Sequence, residues 1–225
     1  MNLCYVCGRE FNMPLSFSIR LEPDFSSAFS QHVVSEIQAK LKRNVTTLNT
    51  SIKARVKDTF MELLFNSPEV TSLTRGALYG NLGVDDPDGK IINIVDTWMN
   101  NIHVSVQAGK SPLLTVNIGI LTEDYSDVLS LPDSSHVSDN GHIIEWLRWL
   151  LLEGDKTIAN YFFLPGRRSK SRTGRGIMVQ KEGRVWSIPP QFRGTATDNF
   201  ATRALENLDK ALDRIVRVEI NKVFK

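Results

Sequence analysis

From Pro23-Asp24 onward, the apolar residues Phe25, Phe29, Val33, Ile37, Leu41, Val45, Leu48, Ile52, Val56, Phe60 and Leu63 or Leu64 recur mostly four apart, with occasional threes. That is the period of one helix face. The mean spacing of about 3.8 exceeds the heptad value, so it predicts a single helix with a drifting stripe rather than a left-handed coiled coil. A helix of about 40 residues runs about 60 Å, longer than a compact domain of this size. It is therefore expected to reach beyond one subunit. Thr46-Thr47-Leu48-Asn49-Thr50-Ser51 is a poor helix former, and a break or bend is expected there.

Ser67-Pro68 has the order of an N-cap followed by the first helical position, opening a short segment that closes around Gly80 and Gly83. Asp86-Pro87 repeats the device ahead of Ile91, Ile94, Val95, Trp98 and Ile102, an amphipathic helix. The period then changes to two. Ile102, Val104 and Val106 alternate with His103, Ser105 and Gln107, and Leu114, Val116, Ile118 and Ile120 alternate with Thr115, Asn117 and Gly119, predicting a β-hairpin that turns at 108–112.

Residues 123–141 are acidic and rich in Asp and Ser, with Pro132 and Asn140-Gly141, and predict a long exposed loop. A short helix over 143–152 ending at Gly154, a buried strand over 156–164, and a second hairpin pairing 176–180 with 184–188 are expected next. Pro189-Pro190 stops that hairpin. Asp198 is the expected cap of a last helix with the stripe Phe200, Ala204, Leu208, Ala211 or Leu212, Ile215 and Val218, and with Glu206–Lys210 and Asp213–Arg217 as favourable pairs. The pattern predicts an α+β fold, with a long N-terminal helix and a C-terminal helix packed on a small, mainly antiparallel sheet with hairpins. It comprises an irregular N-terminal arm (1–23) and a single α+β domain (24–225) with an acidic loop insertion (123–141) and a basic loop (165–176).

Composition excludes several classes. With 225 residues, 41% hydrophobic and 23% charged, the chain has ordinary globular make-up and room for a sizeable core. The greasiest run, 146–152, is short and contains Arg148, so no membrane span and no membrane partner are expected. Met1 to Glu10 shows no basic region followed by an apolar core, which points to a protein made and used in a cytosol. Met13 offers a second start, which would make the first residues an upstream extension.

Charge changes the picture more. The net charge of +2 hides a segment from Arg167 to Arg184 with seven basic residues and one acid, Glu182, so the remainder sums to −4. Within it Arg167, Arg168, Lys170, Arg172 and Arg175 form the densest cluster, the candidate partner- or DNA-binding residues. Three roles stay open: tracking a phosphate backbone, docking on an acidic surface such as the 123–139 loop of a neighbouring copy, or a solvated loop. No aromatic residue is interleaved to favour single strands.

Other chemistry is thin. Cys4-Tyr5-Val6-Cys7-Gly8 resembles half a zinc knuckle, but no further cysteine exists, and His32, His103, His136 and His142 lack ligand spacing. A metal shared between subunits is the one route compatible with this, and neither a resident metal nor a cofactor is expected. Gly109-Lys110-Ser111 lacks the earlier glycine of a phosphate loop, since Val104 stands there, and Asp85-Asp86-Pro87-Asp88-Gly89 lacks a calcium loop's ligand pattern. No nucleophile elbow is present, and His142 near Asp139 forms no catalytic set, so no enzyme is expected.

The order of elements resembles the neck or tail-completion (head-tail connector) proteins of tailed bacteriophages. Four phrases are similar to those of tailed-phage virion proteins: Ser72-Leu73 through Gly76, Leu78 and Gly80 to Leu82-Gly83; Trp146 through Trp149 to Glu153-Gly154-Asp155; Ser171-Arg172-Thr173-Gly174 with Ile177-Met178; and Ile188-Pro189-Pro190 through Asn199-Phe200 to Arg203-Ala204. The resemblance covers residues 24–220. It implies a structural virion protein, assembled in the host cytoplasm, that forms a six-fold or twelve-fold ring with copies of itself. Its implied partners are the portal or adaptor and the tail-tube or tail-terminator proteins, around a lumen carrying double-stranded DNA. A baseplate or tail-terminator subunit, and an intracellular nucleic-acid-binding module, are the alternative readings.

Overall fold

The computed structural model describes residues 2–6, 15–22, 28–108, 114–120, 125–137, 141, 143–156, 161–165, 176–180 and 186–224. The fold is α+β, with a long N-terminal helix, a C-terminal helix and antiparallel sheets. The chain divides into two compact units, where the hydrophobic pattern pointed to one domain. Unit 1 gathers 1–59, 98–123 and 208–225, and unit 2 gathers 60–97 and 124–207.

Unit 1 holds a four-stranded antiparallel sheet in the order β1-β2-β4-β3, with β1 Asn2–Val6, β2 Leu15–Glu22, β3 His103–Ala108 and β4 Leu114–Ile120. The β3–β4 hairpin is as expected, with Val106 facing Val116. Along β4, Leu114, Val116, Ile118 and Ile120 are all buried, while the residues between them are half-buried. The arm expected to be irregular supplies two strands of this sheet. Its signal is plain in retrospect: Leu15, Phe17, Ile19 and Leu21 alternate with Ser16, Ser18, Arg20 and Glu22, the period of a strand with one apolar face.

Helix α1, Ala28–Phe65, runs 38 residues without interruption, about 57 Å. The expected break at 46–51 does not occur, because Leu48 and Ile52 are 1% and 0% exposed and tertiary burial outweighs weak local propensity. Its portion in unit 1 buries Leu41, Leu48, Ile52 and Val56, whereas Val33 and Ile37 nearer its start are only half-buried. The C-terminal helix, Phe200–Val223, is α7; its unit 1 portion buries Leu208, Leu212, Val216 and Ile220. The stripe therefore ends on Val216 and Ile220, and Val218, expected inside, is exposed. Asp213 and Arg217 pair as expected at 2.7 Å.

Unit 2 is built from short elements: α2 Pro68–Arg75, α3 Ala77–Leu82, most of α4 Pro87–Asn101, α5 Ser126–Leu129 and α6 Trp146–Leu151, with two ribbons, β5 His136–Val137 with β6 Ile143–Ile144, and β7 Tyr161–Pro165 with β8 Gly176–Gln180. The Ser67-Pro68 start is as expected: the Val70 amide donates to Ser67 Oγ at 3.3 Å. Gly83, at φ +62°, closes α3 in the left-handed conformation that glycine adopts without strain. At α4 the Gly89 amide donates to Asp86 Oδ1 at 3.2 Å.

The acidic insertion differs from a long exposed loop. Between 125 and 137 it forms α5, a 3-10 turn at Pro132–Ser134 and β5, and it buries Tyr125, Val128, Ser134 and His136. The Trp146 indole N–H donates to the Asp133 carbonyl at 3.1 Å, and the Asn93 amide donates to the Asp133 carboxylate at 2.9 Å, so the segment folds on its own neighbours. The helix expected over 143–152 is shorter for the same reason, its first residues pairing as β6.

Candidate interaction site

The five nominated cations, Arg167, Arg168, Lys170, Arg172 and Arg175, lie outside the described residues, as do Cys7, Asp139, His142 and the Gly109-Lys110-Ser111 turn. What the structure does place is the frame on which the cations are carried. The expected pairing of 176–180 with 184–188 falls on 181–185, which lie outside the described residues. Strand β8 pairs with β7, and the last pair of that ribbon is Pro165 with Gly176. The ten residues between them thus leave and re-enter the fold at neighbouring positions, and five of those ten are cationic.

The footing of this ribbon is traceable through unit 2. Strand β8 approaches α3. Helix α3 is tied to α2 by the Leu78 amide, which donates to Ser72 Oγ at 3.1 Å, and Gly76 between them has no room for a Cβ, which would lie 2.7 Å from the Ser72 backbone. In the first turn of α2, Glu69 is buried and forms an ion pair with Arg203 in the first turns of α7; Arg203 also pairs with Asp198.

The cap of α7 is Asn199 rather than Asp198. Asn199 Oδ1 accepts from the amides of Ala201 and Thr202, both at 3.0 Å, while Thr202 Oγ1 accepts from the Asn199 amide at 2.8 Å. Its side-chain amide donates to the carbonyls of Leu151 and Thr195 at 3.1 and 2.9 Å and hydrogen-bonds the Tyr125 hydroxyl. One fully buried side chain therefore joins three segments far apart in sequence. The charge of Asp198 suits a helix start, but only Asn carries both the acceptor for the helix amides and donors for the two carbonyls. Burial raises the Tyr125 hydroxyl above its ordinary pKa, so it stays a neutral partner.

A second join needs glycine. The Gly154 amide donates to the Gly194 carbonyl at 2.9 Å, and a Cβ on Gly194 would sit 1.9 Å from the Leu150 carbonyl oxygen. Gly154 is thus a point of close backbone approach, while Leu152 ends α6. Gly154 and Asn199 both fall in phrases quoted above, and each has a packing role here.

Among the described residues, no group of three or more His, Cys, Asp or Glu side chains is arranged to hold a metal ion, and Cys4 lies in β1 opposite Arg20. Among the same residues, no helix is long and apolar enough to cross a membrane. The fold defines an α+β chain in which a short ribbon pairs the residues on either side of a cationic segment. Comparison with protein families, curated proteins and solved structures returns no match, so a functional reading rests on the residues themselves.

Proposed function

We propose that the chain is a non-enzymatic structural subunit of a tailed-phage virion, assembling with copies of itself into a six-fold or twelve-fold ring at the head-tail junction. In this reading Arg167, Arg168, Lys170, Arg172 and Arg175 contact a neighbouring ring or the DNA in the lumen. The observation that carries it is the Pro165–Gly176 pair, which joins the two ends of a ten-residue segment whose sequence holds five cations of an otherwise acidic chain. Concentrating like charge there opposes compactness and makes sense against an anionic partner. The resemblance of the element order and of the four phrases supplies the setting, with the portal or adaptor and the tail-tube or tail-terminator proteins as partners.

The test is assembly. Alanine at all five positions is expected to leave the purified subunit folded and to reduce DNA-filled, tailed particles by at least about tenfold. Normal particles from that variant, or a wild-type protein that stays monomeric by native mass measurement alone and with portal protein, would sink the reading.

A further inference from the structure

Over residues 37–57, helix α1 carries six cations, Lys40, Lys42, Arg43, Lys53, Arg55 and Lys57, and no carboxylate. Two are engaged within unit 1: the Lys40 ammonium lies 5.2 Å from the Phe224 ring centre, and Arg55 pairs with Glu219 at 3.6 Å. The other four have no carboxylate at ion-pair distance among the described residues, and Arg43 donates only to the carbonyl of Ala39, one turn back. Lys42, Thr46, Thr50, Lys53 and Lys57 follow one another at steps of four, four, three and four, a single stripe along the helix with Arg43 beside it. Leu48, Ile52 and Val56 occupy the buried side, while the stripe residues are exposed or half-buried.

This face is poorly explained by stability. Like charges at 53 and 57 repel across one turn, and three threonines at 46, 47 and 50 weaken the helix where burial does not require them. We propose that the outer face of α1 binds the phosphate backbone of duplex nucleic acid, a contact separate from the 165–176 segment and beyond the function proposed above. Phosphate suits the stripe because threonine hydroxyls and basic side chains both donate to phosphate oxygens. The described carboxylates of the chain's own acidic segment are poorer occupants, since Asp127 accepts from the Val128 amide and Asp133 from the Asn93 side-chain amide. The stripe has no aromatic residue for stacking on single strands. It extends about 22 Å from Lys42 to Lys57, against a duplex bearing one charge per about 1.7 Å of its axis. Recognition is of the backbone, independent of base sequence and steep in salt.

The experiment is fluorescence anisotropy of the full chain with a labelled duplex of about 20 base pairs, titrated at salt from about 50 to 200 mM. Gln at Lys42, Arg43, Lys53 and Lys57 together is expected to weaken binding by at least about tenfold and to lower the slope of log affinity against log salt by about 3 to 4. Arg at the three lysines keeps wild-type binding, which separates lost charge from lost fold. Alanine at the five residues between Arg167 and Arg175 leaves the α1 share of the slope in place, so failure of either surface is read apart from the other. The proposal is overturned if the wild type does not bind duplex. It is equally overturned if the Gln variant binds within about twofold with an unchanged slope, or if polyglutamate displaces the duplex as well as a phosphate polymer of equal charge.

Discussion

Among the described residues, each unit of the molecule buries one carboxylate on a helix, and the two are held in different ways. In unit 1, Glu219 is 3% exposed; it pairs with Lys222 at 2.6 Å and Arg55 at 3.6 Å. In unit 2, Glu69 is 1% exposed; one oxygen pairs with Arg203, and the other has no hydrogen-bond partner among the described residues. The helix ends explain the difference. Glu69 stands in the first turn of α2, where unpaired amides and the positive end of the helix dipole favour a negative charge. Glu219 stands near the C-terminal end of α7, where the dipole opposes it and cationic partners must compensate. A buried charge is therefore tolerable with one partner at one helix end and needs several at the other.

The largest expected effect comes from Arg203→Ala, which strands the Glu69 carboxylate with neither oxygen paired. It should cost about 3 kcal/mol, read as a lowered urea midpoint. Adding Glu69→Leu should recover most of that loss; if it does not, the burial of the charge is not what the arginine offsets. Glu219→Gln is expected to cost less, about 1 kcal/mol, because Lys222 retains an oxygen to bond. Its pH dependence sharpens the contrast. Burial works against the Glu219 carboxylate, but the Lys222 ammonium, the Ser51 hydroxyl and Arg55 outweigh it and hold the pKa below the ordinary 4.5. That contribution is complete above the ordinary value and is lost as the pH falls through the lowered one. Melting curves of wild type and Glu219→Gln should consequently differ at pH about 7 and converge as the pH falls through the lowered value. The smallest effect is expected from Arg55→Ala, since Arg55 is 58% exposed: under about 0.5 kcal/mol, vanishing in high salt. A larger loss there would mean that the exposed arginine, and not Lys222, neutralises Glu219.

Much of the fold can be read along the chain wherever burial follows a single period. The stripe of α1, the switch from period four to period two at Ile102, the Ser67-Pro68 cap and the alternation on β4 are all legible one residue at a time. The misses have a common cause, which is that the deciding partner is distant. Residues 15–22 alternate as cleanly as β4, yet their strand is completed by pairing with 115–120, far along the chain. The ribbon around the basic segment depends on 176–180 pairing back with 161–165, which the alternation of one strand does not determine. The cations of α1 were visible in composition but hidden among apolar positions, until burial showed which side of the helix is covered.

The sequence by itself determined the α+β class, the long first helix, the β3–β4 hairpin, the charge of the 167–184 segment and the Ser67-Pro68 cap, because each depends on neighbours close along the chain. Tertiary structure alone decided which carboxylates are buried, that Asn199 and not Asp198 caps α7, that Gly194 must lack a side chain, and which strand closes the basic segment. Those outcomes rest on groups separated by tens of residues, whose desolvation and hydrogen bonding exist only once the chain has brought them together.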